Sequence, residues 1–265
     1  MMNFHYLLEH FFTHKDFLAP PHQIPGTLFT PLHLIFAAIL LAVVIGTAIY
    51  VGKHQALVRP VFIGLWITLV VLEVAIVTWE SLSARHPGFD LQRSLSLYPC
   101  SIYLYAMPLA IWGKGVWKKI GCGYVCTLGL LGGAVNFFYP AIRLSAYSCI
   151  SFVGFHTFFY HATLLFTCLV MLISGYHRYT KVTKWWELLL PCVLSLIVSV
   201  PANIVNYSPI GADYMFFRGK FPLLALLFPG VKPILFTLVL YGLYIVIPAL
   251  FYLPSYLRNK RLVPA

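Results

Sequence analysis

Residues 32–52 read LHLIFAAILLAVVIGTAIYVG, and no Asp, Glu, Lys or Arg interrupts them. A run of about 20 apolar residues is the length that crosses the hydrocarbon core of a bilayer as a helix. Stretches of this kind recur along the chain, with charges and prolines as punctuation. Of the 265 residues, 60% are hydrophobic, 17% aromatic and 9% charged, and the mean hydropathy is +0.85. A soluble domain carries about a quarter charged residues, so lipid is the solvent for most of these side chains and the soluble enzyme classes are excluded. The net charge of +11 then reads as basic loops meeting lipid phosphates, and no nucleic-acid partner is expected.

Seven apolar stretches approach spanning length: Leu32 to Gly52, Val61 to Trp79, Leu95 to Trp112, Ile120 to Tyr139, Tyr147 to Gly175, Trp185 to Asn206, and Pro233 to Tyr252. Unpaired peptide groups are too costly in hydrocarbon, so these stretches are expected to be helical. The alternating strands of a membrane β-barrel are missing from the pattern. The expected fold is all-α and integral to the membrane: an interfacial segment over residues 1–31, a bundle of seven transmembrane helices over 32–258, and a cytoplasmic tail over 259–265. In the first segment Phe4, Leu7, Leu8, Phe11 and Phe12 recur at helical spacing, with Glu9, Thr13 and Asp16 available to the other side. That predicts an amphipathic helix lying in the interface. Before the last span, the apolar stretch Phe221 to Phe228 is too short to cross and is expected to dip into the interface or cap a cavity. Eleven of the 18 basic residues fall on the connections after spans one, three and five and on the C-terminal tail, and seven fall on the other side. The positive-inside rule then puts the C-terminus in the cytoplasm and the N-terminus outside.

An ionisable side chain within a span is costly and usually faces a cavity or a partner. Glu73 lies toward the outer end of span two, His161 midway along span five, and Cys100 near the outer end of span three. Each also has a purely structural reading. A neutral Glu73 can hydrogen-bond a neighbouring span, His161 can bond a carbonyl or the Thr157 hydroxyl one turn earlier, and a buried cysteine behaves as a small apolar residue. Cys122 and Cys126 sit four apart on one helical face, but no second ligand pair follows; they read as packing, and no metal or cofactor is expected. Gly129 and Gly133 form a small-xxx-small pair that marks close helix packing. Trp79, Trp112, Trp117, Trp185 and Trp186 lie near span ends, where aromatic belts form.

The order of the unusual residues is the specific signal. Val71-Leu72-Glu73-Val74 is followed by Leu97-Tyr98-Pro99-Cys100, then Gly133 to Pro140, Phe158-Phe159-Tyr160-His161, and Gly211-Ala212-Asp213-Tyr214-Met215. Over about residues 71–222 this series resembles the transmembrane protein 164 family and its bacterial YwaF-type relatives. The resemblance implies a seven-helix protein of a bacterial plasma membrane that carries an acyl group on a cysteine, a lipid acyltransferase or lipid hydrolase with phospholipid or lysophospholipid as substrate. Carried over residue by residue, Cys100 is the nucleophile, His161 its base and Glu73 a helper. Asn203, Asn206, Asp213, Tyr214 and Arg143 are the residues expected to contact substrate. This chain departs from the pattern at Tyr98, where the animal family has asparagine, and at Ser101, where it has histidine. It departs again at Asp213, where bacterial relatives tend to have asparagine.

The implied chemistry is coherent. A thiol is a poor nucleophile until deprotonated, and an apolar setting opposes deprotonation, so a base is needed. His161 takes that role and Glu73 orients or stabilises the imidazolium, which is the logic of a triad. Arg85, Arg93, Arg143 and Arg218 are available to a lipid phosphate. Two other classes fit the same residues: a transporter or small-molecule binding protein, drawing on Pro99, Pro108, Pro191, Pro201 and the intramembrane Glu73, and a non-catalytic membrane component. A homo-oligomer is compatible with all three. Side chains of Cys100, His161 and Glu73 within hydrogen-bond reach around a lipid-open cavity support the enzyme, whereas side chains pointing to separate helix interfaces support packing.

Overall fold

The computed structural model describes residues 8–18, 24–92, 94–179, 184–219, 226 and 229–262. Within them the chain is helical and contains no strand. Helix α1, Pro31–Lys53, starts where Thr30 accepts the His33 N–H and Pro31 fills the first turn, a position at which its missing N–H costs nothing. The single residue His54 turns the chain into α2, Gln55–Ser83. After a long connection come α3, Tyr103–Trp112, and α4, Gly115–Tyr124, separated by a two-residue turn. A π-helical turn, Val125–Gly129, joins α4 to α5, Leu130–Phe138. The short α6, Ala141–Leu144, precedes α7, Phe152–Ile173. A 3-10 stretch, Trp185–Cys192, leads into α8, Val193–Asn206, and α9 is Pro233–Leu262.

Six helices are long and apolar enough to cross a membrane: Pro31–Lys53, Gln55–Ser83, Gly115–Leu144, Phe152–Ile173, Trp185–Asn206 and Pro233–Lys260. The chain is therefore a multi-pass integral membrane protein. The expected seventh, Leu95 to Trp112, is helical only from Tyr103. At about 1.5 Å per residue its ten residues cover about half of the roughly 30 Å core. Pro99 explains the break. It supplies no N–H, and it pushes the preceding Tyr98 away from helical dihedrals, so the helix begins after it. Most of the expected interfacial helix, residues 1–7, lies outside the described residues; Leu8 and Glu9 are helical, residues 10–12 form a turn, and Lys15–Phe17 is a three-residue 3-10 helix. The apolar stretch Phe221 to Phe228 lies outside the described residues except for Leu226.

Helix α7 is the centre of the bundle, with most of its side chains buried, whereas α1, α2 and α9 expose most of theirs. Leu34, Ile35, Ile39 and Val43 of α1 are typical of this apolar outer face, which is where lipid chains are met. Trp112, Trp117, Trp185 and Trp186 are exposed near helix ends, as an aromatic belt requires. Inside, Tyr103, Tyr124, Phe62, Phe158 and Leu164 are fully buried. Two glycines show how closely helices approach near the centre of the bundle. A Cβ on Gly133 would stand 3.0 Å from the Leu164 Cβ and 3.2 Å from the His161 carbonyl oxygen, so α5 lies directly on the turn of α7 that carries His161. A Cβ on Gly121 would stand 2.5 Å from both the Ala106 carbonyl oxygen and the Ala110 nitrogen, so α3 and α4 touch backbone to backbone.

The substitution Gly121→Ala is expected to force α3 off α4 at a cost of about 1–3 kcal/mol, the usual range for overpacking. Gly132→Ala, whose Cβ would meet nothing within 4 Å, is expected to leave stability unchanged or raise it slightly. Thermal unfolding of the two variants in detergent checks the contrast; equal melting temperatures would contradict the packing of α3.

Candidate active site

The break before α3 leaves peptide groups without helical partners, which backbone at membrane depth must find elsewhere. The Leu95 N–H donates to the Tyr214 hydroxyl at 3.0 Å, and that hydroxyl donates to the Leu91 carbonyl at 2.8 Å. The Tyr105 hydroxyl donates to the Ser96 carbonyl at 3.2 Å, and the Tyr124 hydroxyl donates to the Pro99 carbonyl. Trp66 donates its indole N–H to the Leu104 carbonyl at 2.9 Å. Non-helical backbone is tolerated at this depth only where protein satisfies it or a cavity adjoins it, and here both hold.

The cavity has a volume of 830 Å³ and is walled by α2, the connection to α3, α5, α6 and α7. It reaches the surface beside the exposed His86 and Asp90, and the N-terminal residues His14 to Asp16 line the same end. Cys100, His161, Glu73 and Arg143 all line it. The three side chains singled out from the sequence as candidate catalytic groups line one space, but no hydrogen bond joins any two of them: Glu73 is paired with Ser96 and His156, and Nε2 of His161 has no partner.

Each is held by local structure. Cys100 sits in the turn that enters α3, three residues before its first helical residue. The His161 ring is fixed from its own helix, its Nδ1 lying 2.7 Å from the Thr157 carbonyl oxygen one turn back. Since a carbonyl only accepts, Nδ1 carries the proton in the neutral ring and Nε2 is left with its lone pair. That Nε2 is buried and has no hydrogen-bond partner. Glu73 accepts a hydrogen bond from the Ser96 hydroxyl at 2.9 Å, and its other oxygen lies 3.5 Å from Nε2 of His156. The imidazole beside the carboxylate is thus His156, one and a half turns before His161, rather than His161 itself.

Arg143, expected to contact substrate, is paired with Glu80. Of the other loop arginines, Arg85 donates to the Asp16 carbonyl at 2.9 Å and Arg218 to the Asn206 carbonyl at 3.1 Å, while Arg93 lies outside the described residues. Asp16 also accepts the Arg85 backbone N–H, which holds its carboxyl below the usual range, and burial lowers the neighbouring His14.

Asn203, Asn206, Asp213 and Tyr214 are not among the residues lining the cavity. Asn203 donates to the Tyr241 hydroxyl at 2.8 Å. Asn206 is fully buried and brackets the backbone of residue 214, donating to its carbonyl at 2.8 Å and accepting its N–H at 2.7 Å. Asp213 accepts the Arg218 N–H at 2.6 Å. The Tyr214 ring stacks against Tyr98 at 5.0 Å, and burial pushes its phenol up to about 12, so it stays a donor. Tyr214, its backbone held by Asn206, braces the wall on which Tyr98 sits. The residues missed from the sequence are His156 and Tyr160 on α7 and Glu80 on α2. Their signal was helical register: Glu80 follows Glu73 by two turns and Tyr160 follows His156 by one, so each pair shares a face.

The fold and site together define a multi-pass membrane protein with a polar, thiol-bearing cavity inside its bundle. The model of the TMEM164 family matches residues 28–255, and the chain belongs to that family. No curated protein and no solved structure matches the chain significantly.

Because Asn206 serves the backbone, Asn206→Ala is expected to cost about 1–3 kcal/mol, the range for leaving a buried polar group unpaired. The variant should melt at a lower temperature with or without lipid substrate. Unchanged melting combined with weaker lipid binding would restore a substrate-contacting role.

Proposed function

We propose that this protein is an intramembrane thiol-dependent acyltransferase acting on phospholipid or lysophospholipid through an acyl-cysteine intermediate. The observation that carries the reading is a cysteine and a histidine with an unpartnered buried Nε2 on one cavity inside the bundle. The family resemblance in the Cys100 and His161 motifs supports the same roles.

In this reading the Cys100 thiol gives its proton to Nε2 of His161. Burial opposes a standing thiolate, so proton removal accompanies attack, with the N-terminal end of α3 beside the developing negative charge. Its sulfur attacks the ester carbonyl carbon of a phospholipid. As the C–S bond forms and the C–O bond breaks, the departing glycerol oxygen takes the proton from His161, leaving a thioester. The hydroxyl of an acceptor lysophospholipid then gives its proton to His161 and attacks the thioester, returning the thiol. Glu73 and Ser96 supply a polar wall that keeps His156 in place. The lipid chains lie in the bilayer while the ester enters the cavity from its polar end.

The topology belongs to the same proposal. The irregular Leu95–Ile102 and α3 together make the third of seven crossings, with the N-terminus outside and the C-terminus in the cytoplasm, as the basic residues favour. Cys100 then lies in the outer half of the membrane.

The test is acyl transfer from a labelled phospholipid to a lysophospholipid in liposomes holding the purified protein. Cys100→Ala is expected to abolish transfer and His161→Gln to lower it about 10²–10⁴-fold. A hydroxylamine-labile acyl chain should be recovered on Cys100 of the wild type. Full transfer by Cys100→Ala would sink the proposal, and solute flux that needs Glu73 but not Cys100 would favour a transporter.

A further inference from the structure

Among the described residues, six buried side-chain polar atoms have no hydrogen-bond partner, and three of them, on His156, Tyr160 and His161, belong to α7 and line the cavity. A buried polar group without a partner is destabilising, and such groups persist where a ligand completes them. His161 is the proposed base, and Nε2 of His156 lies 3.5 Å from the Glu73 carboxylate. The Tyr160 hydroxyl is the group left over. Its residue is only 3% exposed, and its ring sits between the two imidazoles, 5.6 Å from that of His156 and 5.8 Å from that of His161. Glu73, Cys100 and Tyr103 act on it electrostatically, and the Ser101 hydroxyl lies nearby without meeting hydrogen-bond geometry.

We propose that Tyr160 is the oxyanion donor of the site, its O–H hydrogen-bonding the negative oxygen that develops on the acyl carbon during attack by Cys100. This rests on the acyl-transfer reading and deepens it. When the C–S bond forms, the π electrons of the carbonyl move onto oxygen, and a pre-aimed donor stabilises that charge without transferring its proton. When the intermediate collapses, the electrons return to re-form the carbonyl and the glycerol C–O bond breaks. A donor that is unpartnered at rest is suited to this work, because no existing bond has to be surrendered as the charge appears. The position also follows from helical register. Tyr160 is adjacent to the proposed base, so the donor and the base reach the reacting carbon from the same turn of α7.

Tyr160→Phe removes a hydroxyl with no partner, so its melting temperature should equal or exceed that of the wild type. Its kcat for transfer should fall about 10²–10³-fold with KM little changed. Incorporating 3-fluorotyrosine at position 160 keeps the hydroxyl and makes it a stronger donor, and should restore kcat to the wild-type level or above. Wild-type kcat in Tyr160→Phe overturns the proposal. So does a lowered melting temperature in Tyr160→Phe, or a fluorotyrosine protein as slow as the phenylalanine one. The two readings fail separately: a wild type active through Cys100 beside a fully active Tyr160→Phe removes only the oxyanion donor, whereas a wild type with no transfer removes the acyltransferase and this role with it.

Discussion

The requirement that every peptide group in a membrane find a partner within the protein governs the rest of this structure. Its six spanning helices meet most of it alone. The segment from Leu95 to Ile102 cannot, because Pro99 denies it a helix, so its polar backbone is served by side chains from elsewhere: Tyr214 for Leu95, Tyr124 for Pro99, Tyr105 for Ser96. Each of these is a tyrosine, whose ring is at home in an apolar core and whose hydroxyl reaches a carbonyl or an N–H. Once the helix is broken, its N-terminal end and the cysteine before it lie inside the bundle rather than at its surface. A continuous helix would have closed the space and turned Cys100 into one more packing residue.

Helix α7 is both the central packing element and the source of most of the cavity's chemistry. These roles are compatible because its faces are separated by register. Leu164, Cys168 and Met171 go to the core, while His156, Tyr160 and His161 meet the cavity. Gly133 lets α5 come close enough to fix the backbone at His161, and the Thr157 carbonyl fixes the ring. The imidazole is thus positioned from two sides by backbone, which does not rearrange when substrate arrives. Thr163 and Thr167, buried in the same helix, hydrogen-bond carbonyls one turn back and so are self-satisfied, unlike the cavity-facing groups.

Much of this was legible in the sequence. The uncharged runs identify the membrane class, and Glu73, Cys100 and His161 stand out because ionisable or reactive groups are rare in such runs; they do line one cavity. Pro99 marked an irregularity, but its effect was underread: treating Leu95 to Trp112 as a full span ignored that proline at the end of a helix fixes where the helix starts. Asn206 and Asp213 looked like ligand contacts because polar residues near span ends attract that reading, yet a tight loop needs the same residues for its own backbone. Met215 and Phe216 take positive φ values of 58° and 59°, and a loop so strained needs the Asn206 clamp. No one-dimensional pattern separates a clamp from a binding residue, since the difference lies in which way the amide points. Arg143 is similar: its pairing with Glu80 joins residues 63 apart, which no local spacing discloses.

Ser101 stands where the animal family carries a histidine next to the cysteine, and in the acyl-transfer reading that departure bears on how the thiol is activated. A base beside a nucleophile needs the right tautomer, and a neighbouring acid often sets it. Here Glu73 is turned toward His156, so it does not set the His161 tautomer. The Thr157 carbonyl does so instead, from four residues earlier on the same helix. Such a bond needs no second residue from another helix and survives changes at position 101. It also leaves the carboxylate free to accept from Ser96 on the broken segment, which ties the Cys100 wall to α2. In the acyl-transfer reading the two tasks that one carboxylate performs in a linear triad are therefore divided: backbone orients the base, and Glu73 holds the wall that presents the nucleophile.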